Sequence, residues 1–149
     1  VRLGEEIEQS KYVVGQVDGV SREEFAAFHR DMFDRCYGFS EKLLKGGLIL
    51  PSLEYCLKCS HLFNILDASG SVGVTERTAY VLRVRQLAVA IAQGGKRVIL
   101  VDADLRRPTQ HQLFGLKNIP GLTGMVRDET LMANPPLQKT NVPNPKVLT

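Results

Sequence analysis

The spacing of hydrophobic residues predicts helices in the first part of the chain. From Ser21 to Gly47, apolar residues recur every three or four positions, as on one face of a helix. Ser21 and Glu24 form an S-x-x-E capping box at the start, and a pair of glycines ends the pattern. The apolar face consists of Phe25, Phe28, Met32, Cys36 and Leu43. A second helix is predicted over residues 51–61, because the proline that begins it is tolerated in a first turn. Residues 1–62 are therefore interpreted as a helical segment.

After residue 62 the pattern changes to that of an α/β protein. Residues 63–68, FNILDA, form a short apolar run that is followed by a glycine-containing loop. A helical pattern covers residues 76–93, and the continuous apolar run Val98–Asp102 is typical of a buried parallel strand. Strand, loop, helix and strand in this order make one βαβ unit. We therefore predict an α/β domain over residues 63–149, with Val98–Asp102 as a central strand of its parallel sheet.

Two carboxylates lie at the end of this predicted strand. Asp102 and Asp104 are two positions apart, so that on an extended strand both side chains point to the same side and are exposed at its end. Ligands of open α/β sheets bind just beyond the carboxyl ends of the strands. Carboxylates there suit Mg²⁺, and Arg106 and Arg107 are placed to pair with phosphate oxygens. The alternative is that the two aspartates only end the strand in a solvated turn.

The two aspartates belong to a longer pattern, LAVAIAQGGKRVILVDADLRRPTQHQLFGL over residues 87–116, which is followed by NIPGLTGMV and NVPNPKVLT. In order and spacing this pattern resembles the bacterial tyrosine kinases that control exopolysaccharide synthesis, over about residues 87–149. The resemblance implies a partial P-loop-type parallel sheet and ATP or ADP with Mg²⁺ as cofactors. It also implies that Asp102 and Asp104 position Mg²⁺ and help to activate a tyrosine hydroxyl. A membrane-bound polysaccharide co-polymerase is the partner that the resemblance implies.

The first phosphate-binding motif of that family, G-x-x-x-x-G-K-[ST], is only partly matched. The corresponding residues 71–78 are SVGVTERT, in which Gly73, Arg77 and Thr78 are the expected phosphate contacts. Glu76 would repel a phosphate. The Walker B aspartate and the tyrosine-rich tail of the family are not found, so we interpret the chain as a fusion, a truncated product or a frameshifted product. We expect an incomplete kinase-like domain that binds Mg-ATP or Mg-ADP weakly and shows no kinase activity.

Composition sets limits on partners and location. The 149 residues carry 19 basic and 16 acidic side chains, and residues 87–149 carry 8 against 4. Because basic and aromatic residues do not interleave, we expect no nucleic-acid partner. No apolar run reaches the ~18 residues of a membrane span, and the first residues given do not show the basic and apolar regions expected of a signal peptide. Together with the odd number of cysteines, three, this favours a cytoplasmic protein with reduced thiols.

Two further interpretations concern other kinds of site. Cys56, Cys59 and His61 have the residue types of a zinc site, although two thiols on an apolar helix face are better explained as core residues. A second class of function is a non-enzymatic helical and α/β module that serves as a scaffold or interaction protein. Nucleotide affinity with and without Mg²⁺ distinguishes this class from a nucleotide-binding domain.

Overall fold

The computed structural model describes Glu8 and residues 19–102, 110–119, 121–141 and 145–148. These residues form the following elements in chain order: α1 (Arg22–Lys45), α2 (Ile49–Ala68), α3 (Val74–Gln93), β1 (Val98–Val101), α4 (Gln110–Leu113), α5 (Leu122–Arg127), α6 (Thr130–Ala133), β2 (Gln138–Lys139) and β3 (Pro145–Leu148). The chain divides into two compact units, residues 1–87 and residues 88–149. None of the helices described is both long enough and apolar enough to cross a membrane.

Helix α1 begins where the capping box predicts. The Ser21 hydroxyl accepts a hydrogen bond of 3.0 Å from the backbone N–H of Glu24, which satisfies one of the N–H groups that a helix leaves open at its start. In the last turn, Lys42 and Lys45 lie where positive charge is favourable to the helix dipole. Gly47 has a left-handed φ of 75° and turns the chain into α2. The predicted helical character of this part of the chain is confirmed.

A pair of buried serines joins α1 to α2. Ser40 and Ser52 are fully buried, and their hydroxyl oxygens lie 2.8 Å apart. Each hydroxyl also reaches the carbonyl oxygen of the other residue, at 3.0 Å from Ser40 and 3.1 Å from Ser52. Because both side chains are small, the two helices approach closely at this point while every hydroxyl keeps a partner. The large side chains buried deepest in the same unit are Phe33, Ile65, Leu66 and Leu87.

Residues 63–68, predicted as the first strand of a βαβ unit, are instead the last part of α2. Phe63 and Leu66 are buried there and continue, at three- and four-residue spacing, the inward face begun by Cys56 and Cys59. A short apolar run does not distinguish a strand from a buried helix segment. Here the run extends a helix of 20 residues. No strand precedes the glycine loop in the described part of the chain, so the predicted βαβ unit is wrong, and the boundary expected between residues 62 and 63 falls inside α2.

The second unit contains a small mixed sheet. Its strand order is β1-β3-β2, with β1 parallel to β3 and β2 antiparallel to β3. The register pairs Ile99 with Lys146 and Val101 with Leu148. The run from Val98 is therefore a strand, but it lies at an edge of this sheet, and Ile99 and Val101 are 55% and 48% exposed.

These observations correct the predicted fold class. A central strand has neighbours on both sides, whereas β1 is paired on one side only within the described residues. The described part of the chain is mostly helical, and its sheet is not the parallel sheet of a P-loop protein. The prediction of a partial P-loop-type α/β fold is therefore wrong.

We expect Ser40→Ala to lower the free energy of unfolding by about 1 kcal/mol, because a buried hydrogen-bonded hydroxyl is lost. Ser40→Val should cost more, about 1–3 kcal/mol, since the added methyl groups have no room between the two helices. Urea unfolding followed by circular dichroism measures both. The control is Ser60→Ala, on α2 at a half-buried position, which should change stability by less than about 0.5 kcal/mol. Equal losses at Ser40 and Ser60 would contradict the role of the serine pair.

Candidate functional site

The residues predicted to hold phosphate lie at the start of α3. Gly73 immediately precedes the helix, and its carbonyl accepts a hydrogen bond of 2.8 Å from the Arg77 N–H. The Thr78 hydroxyl donates to the Val74 carbonyl at 3.2 Å, which is a bond within the helix. The Arg77 guanidinium lies 3.2 Å from a carboxylate oxygen of Asp67. The structure thus brings Gly73, Arg77 and Thr78 together, but in contacts that build the α2–α3 connection.

Glu76, which the sequence places beside the expected phosphate, is held by Arg30 of α1. The Arg30 Nε donates to Oε1 at 2.8 Å and Nη2 donates to Oε2 at 3.2 Å, so the pair is bidentate. The same Nη2 donates to the Ser71 carbonyl at 2.6 Å. The hydrogen bond from Arg30 lowers the pKa of the Glu76 carboxyl, and the bond to Glu76 raises the pKa of Arg30. Arg30 therefore holds two parts of the chain against α1: the loop that contains Ser71 and the first turn of α3.

A shallow cleft lies beside this ion pair. It has a volume of about 190 Å³ and is lined by Arg22, Glu23, Ala26, Arg30 and Ser71. The Arg22 Nη2 donates to the Ser69 carbonyl at 2.7 Å, so this arginine also supports the turn. Ligand pockets for small molecules and cofactors usually measure about 300–1,000 Å³. The cleft is too small for a nucleotide, and these contacts do not favour a phosphate cradle, so nucleotide binding by Gly73, Arg77 and Thr78 stays a prediction.

The predicted metal ligands belong to the second unit. Asp102 follows β1, and its backbone N–H donates to the Leu148 carbonyl of β3 at 2.8 Å. Its carboxylate is buried, not exposed as the sequence predicts, and accepts a hydrogen bond of 3.0 Å from the Gln110 N–H at the start of α4. Asp104 and Arg106 lie outside the described residues. Within the described ranges no group of three or more His, Cys, Asp or Glu side chains is arranged to hold a metal ion. Binding of Mg²⁺ by Asp102 and Asp104 stays a prediction.

Burial raises the pKa values of the three cysteine thiols in the first unit. Cys56 and Cys59 are 5% and 0% exposed, and burial raises the pKa of the Cys56 thiol to about 11 and that of Cys59 to about 12. Cys36 is half-buried, and the pKa of its thiol is raised for the same reason. All three are free thiols. The arrangement supports the interpretation of Cys56 and Cys59 as core residues.

A cation–aromatic cluster that the sequence does not predict lies between α1 and α3. The Arg83 guanidinium lies 4.3 Å from the ring centre of Tyr37 and 4.7 Å from that of Phe33. It also pairs with Asp34 at 2.7 Å, and Tyr80 meets Phe33 edge to face at 4.5 Å. Phe33 and Tyr37 are neighbours at i, i+4, but Arg83 is about fifty residues away, so no local pattern in the sequence could have revealed the stack.

Helix α2 carries a second apolar surface on its outer side. Leu50 and Leu57 are 65% and 54% exposed, and Leu53 between them is half-buried. Their i, i+3, i+7 spacing places these three side chains, called the leucine face below, on one side of the helix. Beside them Glu54 and Lys58 form an ion pair of 2.9 Å. A helix that is apolar on both sides is typical of the interior of a larger assembly.

Comparison with known families changes the interpretation of the chain. The family model described as the glycyl-tRNA synthetase alpha subunit matches residues 1–96. The match ends just after α3 and so covers all three long helices. The identification as a bacterial tyrosine kinase, inferred from residues 87–149, is therefore wrong, and so is exopolysaccharide synthesis as the function.

The same match corrects the expected partners. A polysaccharide co-polymerase has no support, and the exclusion of nucleic acid is wrong, because the matched family is named for an enzyme of tRNA. ATP and Mg²⁺, the cofactors that the resemblance to kinases implies, are used by aminoacyl-tRNA synthetases as a class.

We expect Glu76→Lys to lower the free energy of unfolding by about 1 kcal/mol, because the half-exposed ion pair with Arg30 is replaced by repulsion between two cations. We also expect no gain in affinity for Mg-ADP, measured by calorimetry. The control Glu54→Lys removes the ion pair with Lys58, which lies within one helix and is worth about 0.3–0.5 kcal/mol. Tighter ADP binding by Glu76→Lys would show that residues 71–78 are a phosphate loop after all.

The stability that the Arg30–Glu76 ion pair contributes should depend on pH. Because Arg30 lowers the pKa of Glu76, the stability from this pair is present above the carboxyl's ordinary value of 4.5 and is lost as pH falls through the lowered value. The difference in unfolding free energy between the wild type and Glu76→Gln should therefore be constant near neutral pH and shrink below pH 4.5.

We expect the thiols to react in the order of their exposure and acidity. With iodoacetamide near neutral pH, Cys36 should be labelled first, while Cys56 and Cys59 should react only after unfolding in guanidinium, because the buried thiols do not form thiolates in the folded state. Peptide mass spectrometry over time measures the three rates. Labelling of Cys56 as fast as Cys36 in the folded protein would contradict the described core.

Proposed function

Since the chain belongs to the glycyl-tRNA synthetase alpha subunit family, we propose that it serves in the charging of tRNA with glycine, as a helical unit that docks onto the beta subunit of the synthetase. The observation that carries this proposal is the leucine face of α2, which is exposed on a unit that lies within the family match. We place this function in the cytoplasm, as expected for the synthetase family.

The contacts of α3 argue against a nucleotide site in this unit. Aminoacyl-tRNA synthetases use ATP with Mg²⁺ to activate the amino acid. Glu76 is paired with Arg30, and Arg77 is paired with Asp67. A carboxylate at the start of the helix also disfavours a phosphate there. These residues therefore do not fit a triphosphate, and we assign ATP and Mg²⁺ to parts of the alpha subunit other than the helices α1–α3.

The charge of the helical unit favours a protein over tRNA as its direct partner. Residues 19–87 carry nine basic and eight acidic side chains. Several of the basic groups are neutralised at short distance, including Arg30 by Glu76 and Arg83 by Asp34. A surface that binds nucleic acid needs an excess of unpaired Lys and Arg, because phosphate neutralisation supplies most of its affinity. In this proposal tRNA is a partner of the whole enzyme and not of this unit.

The leucine face has the size and character of a helix-docking surface. Its seven-residue span corresponds to about 10 Å along the helix, or two turns. This is enough for the ridges of another helix to pack against it. An apolar centre with charged groups at its border is the usual anatomy of a protein interface, and the Glu54–Lys58 pair lies at such a border. The beta subunit is the protein partner that an alpha subunit implies.

We expect the chain to form a complex with purified beta subunit, and Leu57→Glu to weaken that complex at least tenfold, by about 1.4 kcal/mol or more, because a carboxylate would be buried in an apolar contact. Sedimentation velocity and calorimetry measure the affinity. The matched control is Val74→Glu, which changes a 76% exposed apolar residue of the same unit that lies off α2. Circular dichroism verifies that both variants stay folded.

Two outcomes would overturn the proposal. One is the absence of any complex between the wild type and the beta subunit. The other is a complex that Leu57→Glu and Val74→Glu leave equally strong. Titration of the chain with glycine tRNA at two salt concentrations tests the alternative, direct binding of tRNA by the helical unit. Strong, salt-dependent binding that survives Leu57→Glu would make tRNA, and not a protein, the direct partner of the helical unit.

A further inference from the structure

The segment that joins α2 to α3 has no apolar anchor. Residues 70–79 comprise the connection between the two helices and the first turns of α3. None of these residues is buried, although Ser69 before them and Tyr80 after them are 5% and 6% exposed. Val74, the first residue of α3, is 76% exposed. Because burial of apolar surface supplies most of the stability of a packed helix, this segment is held in place by its polar contacts.

The contacts that hold this segment involve charged groups. Arg30 of α1 binds it at two places, the Glu76 carboxylate at 2.8 and 3.2 Å and the Ser71 carbonyl at 2.6 Å. Arg77 pairs with Asp67, near the end of α2, at 3.2 Å. The side chains of the two ion pairs are between 32% and 37% exposed, so that water and dissolved ions reach them. Ion pairs of this kind contribute little stability and are screened by salt.

The following turns of α3 are held in a different way. Tyr80 meets Phe33 edge to face at 4.5 Å, and Leu87 is 2% exposed. Arg83 lies over the rings of Phe33 and Tyr37 at 4.7 and 4.3 Å. Buried apolar side chains do not lose their contacts when salt is added, because screening acts on charges. Helix α3 therefore has a first part that is held by charge and a later part that is held by packing.

We infer that residues 70–79, called the latch segment below, form an ionic latch that opens from α1 as one unit when ions compete for Arg30. One guanidinium binds both the loop, at Ser71, and the helix, at Glu76, so that its loss releases the two together. Opening makes the Arg30 guanidinium, which lines the cleft beside the segment, accessible to an anion from solution. The latch is separate from the leucine face and does not depend on docking to a beta subunit.

Hydrogen exchange of the full chain, followed for single amides by NMR, tests the inference. The salt concentrations are about 0.1 M and 1 M NaCl, at which the Debye length is about 10 Å and 3 Å. The reporters are the Ser71 N–H, bonded to the Leu66 carbonyl at 3.1 Å, and the Arg77 N–H, bonded to the Gly73 carbonyl at 2.8 Å. We expect the higher salt to speed exchange of both reporters about threefold relative to the amide of Leu87, because half-exposed ion pairs are screened.

Two variants assign the effect to the Arg30–Glu76 pair. Glu76→Gln removes the carboxylate, so exchange at Ser71 and Arg77 should be faster by about threefold already at the lower salt and should respond less to added salt. The matched control is Asp34→Asn, which neutralises another ion pair between α1 and α3, formed with Arg83 at 2.7 Å. It should leave both reporters unchanged, because this pair lies outside the latch segment. Circular dichroism verifies that both variants stay helical.

Four results would overturn the inference. The first is exchange at both reporters that does not respond to salt, and the second is a Glu76→Gln variant that exchanges like the wild type. The third is faster exchange at Arg77 with Ser71 unchanged, which is ordinary fraying of a helix end. The fourth is an equal effect of Asp34→Asn, which would mean that α3 loosens as a whole. Because binding of the beta subunit is measured with other variants, each of these results leaves the proposed function standing.

Discussion

The packing of the first unit depends on Arg30. This residue lies on α1, and its side chain reaches the start of α3. Its guanidinium holds two carboxylate oxygens of Glu76 and the carbonyl of Ser71, all within 3.2 Å. The connection between α2 and α3 contains small residues and would be loosely defined by its own sequence. Because one arginine satisfies both the turn carbonyl and the helix carboxylate, the position of α3 on α1 is set at that end. The Arg83 stack on Phe33 and Tyr37 sets it again about two turns later.

This arrangement explains why the glycine-containing loop resembles a phosphate loop without being built like one. Such a loop presents several backbone N–H groups to an anion, and an anion is favoured at the start of a helix. Here the anion is a side chain of the helix itself, Glu76, and its counter-charge comes from α1. The electrostatic preference for negative charge at the helix start is already satisfied by the fold. The contacts that these residues make in the structure are ones that hold the helices together, and nucleotide binding by them stays a prediction.

What the sequence predicts correctly is local, and what it misses is long-range. The start of α1 follows from Ser21 and Glu24, which are three residues apart, and β1 follows from one uninterrupted apolar run. Whether FNILDA is a strand or the end of a helix depends on its fit to the core, where Ile65 clusters with Phe25, and no short pattern reveals that fit. Likewise, the apolar run of β1 predicts a strand but not its neighbours, because β3 begins more than forty residues later. The family model matches the helical part of the chain, where packing residues such as Ser40 and Ser52 do not form a recognisable catalytic or binding motif. The D-x-D motif, which suggests the kinase family, lies outside that match.

The leucine face of α2 has its backbone hydrogen bonds already made within the helix, so only side-chain burial can drive docking there. A surface of this kind tolerates small shifts of its partner, because no backbone hydrogen bonds between the two proteins fix a register. It follows that specificity for a distinct protein subunit must come from the shape of the groove that receives the leucines.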